Sequence, residues 1–293
     1  MKTLKTLCFK STLLIVCLIF SSFSPKYLTY SNNSYALSIE DAVKRNMITC
    51  DIISKGGHTG NCIDMKIKNL TLNKLMVKLE SGRNLVSLDT NKQDILVVKE
   101  ELFVMNPSQT QQKAVFGFCS QSHKGSPEKD GMYTIGEMKD KNIVKLTQHL
   151  AANKYPISAM QNAIWTLTNN RPIESIFHHN RDSIENLQEF VAQFTKSMSP
   201  WYSIEYTEPD SGMVSNIAKK IHGNVEARLP KNTVIKIVVY DMFNISQIRT
   251  ELVTTENSNK HPFSVNVLSL PKGRYHIGFF TLGGRLDEKV FSI

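Results

Sequence analysis

Residues 63–79 read IDMKIKNLTLNKLMVKL, and hydrophobic side chains recur there at every second position. Two alternating runs, 63–69 and 75–80, are separated by a short polar break. Because successive side chains of a strand point to opposite faces, this period predicts strands with one buried face. Short apolar runs divided by turn residues continue the pattern at 95–98, 102–105 and 114–118. The spacing predicts antiparallel strands of a β-sandwich.

The period changes to that of helices after residue 140. Apolar residues then recur at every third or fourth position over 143–153, 158–167 and 183–197. Pro156 is expected to end the first helix, and Ser158 is expected to cap the second. We therefore predict that residues 37–205 form an N-terminal β-sandwich with two or three helices.

A boundary is predicted at residues 200–212 (PWYSIEYTEPDSG), which combine two prolines with acidic residues and a Ser-Gly pair. Strand-like runs return after it, at 233–240, 248–254, 262–268, 274–281 and 285–293. They predict a second, small β-sandwich over residues 213–293, a size that suits one domain. The fold class expected for the whole chain is mainly β with some α.

Residues 1–36 have the three parts of an export signal. Lys2, Lys5 and Lys10 give it a positive start, 13–20 (LLIVCLIF) form an apolar core, and 34–36 (SYA) offer small residues for cleavage. The apolar core is too short to span a bilayer comfortably, so we expect no membrane span after its removal. The mature chain is expected to begin at Leu37 and to be secreted or held at the cell surface.

The charge of the mature chain argues against nucleic-acid binding. Of the 35 basic residues, four precede Leu37, which leaves 31 against 26 acidic residues, a net charge of +5. These charges alternate in sign, whereas a nucleic-acid-binding protein shows a basic stripe with interleaved aromatic residues. The sequence also has no phosphate-binding loop and no zinc spacing, so we expect neither cofactor nor metal.

Three cysteines remain after removal of the signal. Cys50 and Cys62 flank a glycine-rich turn at 55–60, and we expect a disulfide between them in an oxidising compartment. Such a bond contributes ~3 kcal/mol on the chain-entropy model. Because three is an odd number, Cys119 is then left without a partner.

Three segments of the C-terminal module carry a family pattern: Val239–Phe243 (VYDMF), Leu270–Tyr275 (LPKGRY) and the terminal strand from Gly284. In these the module resembles a type IX secretion C-terminal sorting domain. Asn244 stands where that family usually has glycine, and asparagine also adopts left-handed turns. The resemblance implies the type IX secretion machinery as a partner and an outer-surface or extracellular destination.

Two further motifs lie in the N-terminal region: GFCS at 117–120, ending a strand, and MQNAIW at 160–165, on a predicted helix. Together they resemble the thioester domains of bacterial surface adhesins. The resemblance implies a bond between Cys119 Sγ and the Gln161 side-chain carbonyl, shielded by Phe118 and Trp165. Such a bond captures one amine, on a surface protein or another ligand, so the resemblance implies a non-enzymatic attachment protein.

Two other interpretations are open from the residues alone. Cys119 can be a small buried hydrophobic residue while Gln161 caps a backbone group beside a core tryptophan. The chain would then be an inert extracellular binding or structural protein. A hydrolase using the carboxylates of Asp182, Glu185 and Glu189 ranks last, because these residues more simply form the solvated face of a helix.

Overall fold

The computed structural model describes residues 36–208 and 214–293. The predicted signal segment lies outside the described residues, apart from Ala36. Strands of the N-terminal region are β1 (Leu37–Ser38), β2 (Ile48–Lys55), β3 (Thr59–Asn69), β4 (Leu75–Leu79), β5 (Arg83–Ser87), β6 (Ile95–Val97), β7 (Glu101–Met105), β8 (Thr110–Cys119) and β9 (Lys129–Met138). Its helices are α1 (Ile39–Lys44), α2 (Lys141–Ala152), α3 (Ile157–Asn169) and α4 (Glu185–Thr195), with 3₁₀ turns at Ile173–Ser175 and Arg181–Ser183.

The strands of the C-terminal region are β10 (Tyr202–Tyr206), β11 (Ala218–Leu229), β12 (Val234–Tyr240), β13 (Ser246–Val253), β14 (Ser258–Asn266), β15 (Arg274–Thr281) and β16 (Gly284–Ser292). The predicted mainly β class is therefore confirmed. Within the described ranges, no helix has both the length and the apolar character needed to cross a membrane.

Six N-terminal strands close into a barrel in the order β2-β3-β8-β6-β5-β9. Alternate side chains of β3, including Ile63, Met65 and Ile67, are fully buried in its core. The sandwich predicted for this region is not confirmed, because six of its strands close into a barrel and residues of the remaining small sheet pack in the same core. Alternation cannot separate the two architectures, since each gives a strand one buried and one outward face. A small sheet, β1-β4-β7, lies beside the barrel.

The apolar faces of helices α2, α3 and α4 pack against outward-facing residues of the barrel strands and form a second hydrophobic core with them. Leu96 and Phe118 belong to this second core, whereas their sequence neighbours Ile95 and Cys119 belong to the barrel core. The predicted N-cap of α3 was wrong by two residues: the helix begins at Ile157 after Pro156, and no side chain caps it.

The C-terminal strands form two sheets, β10-β11-β14 and β13-β12-β15-β16, that contribute to one hydrophobic core. Strand β10 pairs with β11, and its residues Tyr202 and Ile204 are buried in this core. The sequence places these residues at the end of the N-terminal domain. Prolines at 200 and 209 flank this strand, so the sequence pattern predicts a domain boundary there and not a strand.

The predicted disulfide between Cys50 and Cys62 was wrong, and both thiols are free. The two residues lie on the adjacent strands β2 and β3, but Cys50 pairs with Ile67, five residues beyond Cys62. At ~3.4 Å per residue, that offset is about 17 Å along the strand. A disulfide needs Cα atoms within about 7 Å. The glycine-rich turn brings Ser54 opposite Ile63, not the two cysteines opposite each other.

Candidate functional site

Cys119 is the last residue of β8, at a point where the neighbouring strand β3 has just begun. Its N–H donates to the His58 carbonyl at 3.0 Å. Before His58 the chain turns away through Gly56 and Gly57, whose φ angles are +82° and +85°. The side chain of Gln161, in the first half of α3, reaches the same point.

The Gln161 amide contacts Cys119 at two points. Gln161 Oε1 accepts a hydrogen bond from the Cys119 N–H at 3.1 Å, and Gln161 Nε2 donates to the Cys119 carbonyl at 2.7 Å. The two residues are 42 positions apart in the sequence and both are buried. The two motifs that the sequence singles out therefore meet in the structure.

This contact fixes the amide at the strand edge. Its oxygen and nitrogen bond to the N–H and the C=O of one strand residue, as the backbone of a neighbouring strand would. The Gln161 amide is therefore held beside the Cys119 backbone.

The Cys119 thiol itself lies in an apolar environment. The residue is fully buried in the barrel core, which also contains Cys62 and Tyr133. Burial raises the pKa of the Cys119 thiol far above its usual range, and nearby Cys62 and Asp94 shift it in the same direction. Burial also raises the pKa of Cys62 to about 11. The Cys119 sulfur is therefore protonated at neutral pH, so it can be acylated only if its proton is removed during the reaction.

The two predicted shielding residues lie on different sides of β8. Trp165, one turn after Gln161, packs with the barrel core together with Cys119 and is 7% exposed. Phe118 points outward into the helical core, where its ring meets that of Phe116 edge-on at 5.4 Å between centroids. Of the two, only Trp165 lies on the thiol's side of the strand. Phe118 instead fixes the strand against the helices.

A cavity of about 550 Å³ is lined by neighbours of the Cys119–Gln161 pair. Its lining residues include His58, Ser158, Asn162, Trp165, Arg171, Ser175, Phe177, Glu205 and Tyr206. The His58 carbonyl accepts a hydrogen bond from the Cys119 N–H, and Asn162 follows Gln161 in the sequence. Burial lowers the pKa of His58, so its imidazole is neutral at pH 7. The cavity gives a small molecule a place beside the pair.

The sequence does not identify two buried residues that also line this cavity, Arg171 and Ser175. Arg171 follows α3 directly after Asn170, which ends the helix in a left-handed conformation. No local pattern marks Arg171 or Ser175 as buried, because their burial depends on β10 and the chain that follows it. The Asn-Arg-Pro sequence after α3 signals only a helix end.

The carboxylates weighed for a hydrolase lie at the surface. Lys260 Nζ is 3.6 Å from Asp182 and 3.9 Å from Glu185. Exposed ion pairs of this kind are ordinary surface features. In the described ranges, no group of three His, Cys, Asp or Glu side chains is arranged to hold a metal ion.

No protein-family model matches the chain, and no curated protein matches it. The likenesses to thioester and sorting domains therefore rest on the motif residues.

Proposed function

We propose that this chain is a secreted bacterial attachment protein that forms an internal thioester between Cys119 and Gln161. The observation that carries the proposal is the two-point contact of the Gln161 amide with Cys119. It holds an unactivated amide against a buried cysteine 42 residues away. The folded unit that contains the pair begins at Ala36, the last residue of the proposed signal.

The chemistry balances without a co-reactant. Cys119 Sγ adds to the Gln161 carbonyl carbon, the C–N bond breaks, and the leaving nitrogen takes the thiol proton and departs as ammonia. A target amine later attacks the same carbon, the C–S bond breaks, and Cys119 regains a proton as an amide forms. Each chain performs this capture once.

The surroundings suit a stored reactive bond. A thioester hydrolyses when water reaches it, and both residues of the pair are at most 2% exposed. Trp165 packs in the same core as Cys119 and also lines the adjoining cavity, so its indole is the proposed cover of the bond. The amine would enter by that cavity after the indole moves.

The C-terminal module is proposed to be a β-sandwich that directs export through a type IX secretion machinery. Two motif details support this role. Asn244 has a φ of +64°, the left-handed conformation expected where the family has glycine. Asp241 Oδ1 accepts hydrogen bonds from the N–H groups of Phe243 and Ile245, both at 2.9 Å, so the acidic residue shapes the same turn.

The second candidate is an inert extracellular binding or structural protein. It is favoured by the fact that both polar atoms of the Gln161 amide are already satisfied by the Cys119 backbone. The raised thiol pKa of Cys119 agrees with this candidate as well. A side chain that completes a strand edge needs no reactive bond to explain it.

Amine capture separates the two candidates. The mature chain, residues 37–293, is incubated with methylamine and then with maleimide under native conditions. The thioester predicts that methylamine becomes attached at Gln161 and that a new maleimide-reactive thiol forms at Cys119. Gln161→Glu is the matched control and should incorporate no methylamine. If the wild-type chain also incorporates none, the inert candidate is correct.

A further inference from the structure

Strand β13 forms one edge of the sheet β13-β12-β15-β16 in the C-terminal module. Among the described residues, it pairs with β12 and with no other strand. Its eight residues contain no proline, and their side chains alternate between half-buried and exposed from one end to the other. Such an edge presents a row of unpaired main-chain N–H and C=O groups, to which a further strand can bind.

The other sheet edges of this module are protected against such pairing. On β16, the Trp201 indole covers the edge by donating to the Val290 carbonyl at 2.8 Å. Strand β14 contains Pro262, which has no N–H to donate, and β10 is only five residues long. On β13, in contrast, the side-chain hydrogen bonds of Gln247 and Arg249 go to other side chains. They leave the main-chain groups at its free edge open.

The pairing with β12 fixes which groups of β13 face the free edge. Just beyond the strand, the Thr254 N–H donates to the Thr233 carbonyl at 3.0 Å, so Thr254 turns its main-chain groups toward β12. Because bonded and non-bonded positions alternate along an antiparallel strand, every second residue before Thr254 does the same. The main-chain groups of Arg249 and Glu251 lie at the positions between, and they therefore face outward, where a second strand can reach them.

The charges along β13 are complementary to those of a second copy. When two β13 strands pair antiparallel about a two-fold axis at Thr250, Arg249 of each copy lies opposite Glu251 of the other. Sliding one strand by two residues would place Arg249 opposite Arg249, or Glu251 opposite Glu251, and like charges in those positions destabilise a sheet. Sliding it by one residue would set outward-facing groups against inward-facing ones, so the strands could not bond. One register is therefore favoured.

The inner face of β13 provides an apolar contact in the same register. Ile248 and Leu252 are half-buried and pack against the core of the module at its open edge. Opposite residues of an antiparallel pair point to the same face, so Ile248 of each copy would meet Leu252 of the other. Burial of these side chains favours association, and the charged pairs on the outer face select the register.

We propose that β13 is a dimerisation edge, at which two copies of this chain join their C-terminal sheets into one continuous sheet. The interface is isologous, because the same strand contributes to it from both copies. A single strand pair buries little surface, so the dimer is expected to have a dissociation constant on the order of micromolar. The proposal does not rest on the thioester, since no residue of β13 belongs to the Cys119–Gln161 pair. If both hold, one dimer carries two capture sites.

Sedimentation equilibrium of the mature chain tests the proposal, with Cys119→Ala measured beside it because that variant cannot form a covalent link between copies. Both chains should form a dimer as their concentration is raised. Arg249→Glu and Glu251→Arg should each weaken self-association at least about tenfold, because each sets two pairs of like charges across the axis. An equal mixture of these two variants should dimerise again, since every pair across the axis then joins opposite charges.

Arg274→Glu is the matched control, because it makes the same change of charge on β15, which β12 separates from the free edge. It should associate like the wild-type chain. Hydrogen exchange locates the contact: the amides of Arg249 and Glu251 should exchange more slowly as the wild-type concentration rises. A wild-type chain that stays monomeric overturns the proposal and leaves the edge to a strand of another protein. An Arg249→Glu chain that dimerises normally, or a mixture of the two variants that stays monomeric, also overturns it.

Discussion

A double-mutant cycle at Cys119 and Gln161 distinguishes a covalent link from a hydrogen-bonded cap by its energy. The variants are Cys119→Ala, Gln161→Leu and the double substitution, each in the mature chain. A cross-link between residues 42 positions apart restricts the unfolded chain. On the chain-entropy model this restriction is worth about 4 kcal/mol of unfolding free energy. Either single substitution removes the link and with it that contribution.

Cys119→Ala regains part of that loss. Thioester formation releases the Gln161 nitrogen as ammonia, so only a chain without the link makes the 2.7 Å bond from Gln161 Nε2 to the Cys119 carbonyl. Satisfying a buried carbonyl is worth about 1–3 kcal/mol. Cys119→Ala should therefore lose about 1–3 kcal/mol, whereas Gln161→Leu and the double variant should each lose about 4 kcal/mol. The coupling free energy between the two sites is then about 1–3 kcal/mol.

Urea unfolding followed by far-ultraviolet circular dichroism measures all four chains. Cys62→Ala serves as the matched control, because Cys62 lies in the same core and bonds to the Gly117 carbonyl instead of to α3. Its loss should add to that of Gln161→Leu without coupling. A coupling free energy below about 1 kcal/mol between Cys119 and Gln161 would refute the covalent link and leave the backbone cap as the whole role of the glutamine.

Other predictions concern the barrel and its charges. Arg83, 2% exposed, pairs with Glu80 and Glu40, so Arg83→Met should lower the free energy of unfolding by about 3–5 kcal/mol in urea titrations. Hydrogen bonds from Lys44 and Arg83 lower the pKa of Glu40, so its stabilisation is present at neutral pH and is lost as the pH falls through that lowered pKa. A urea midpoint that does not fall on acidification would contradict this assignment. Gly117→Ala would place a Cβ 2.9 Å from a main-chain carbonyl of β6, which should cost about 1–3 kcal/mol, and an unchanged midpoint would show that β6 can shift.

The local pattern predicts the strands and helices well but not how the barrel closes. Alternation over residues 63–79 marks one buried face, and that face is buried in the structure. Closure depends on β9 pairing with both β2 and β5, and these pairings join segments that are distant in sequence. The register of the paired strands is likewise not set by the local pattern. It separates Cys50 from Cys62, although the turn between them suggests that they meet.

The sequence likewise identifies some residues of the candidate site and not others. Motif residues identify Cys119 and Gln161, and the structure brings them together at a strand end. The period of β8 also implies that Phe118 and Cys119 point to opposite faces, so Phe118 could have been excluded as a shield from the sequence. Arg171 could not be found in this way, because its burial comes from β10 and the residues after it.

The most direct test of the central claim is the intact mass of the mature chain, measured without reductant or amine. A Cys119–Gln161 thioester makes the chain lighter than its sequence by the mass of one ammonia, and a digest should contain the two peptides joined. Gln161→Glu should have its full sequence mass. A wild-type chain at full mass, with separate Cys119 and Gln161 peptides, would contradict the account.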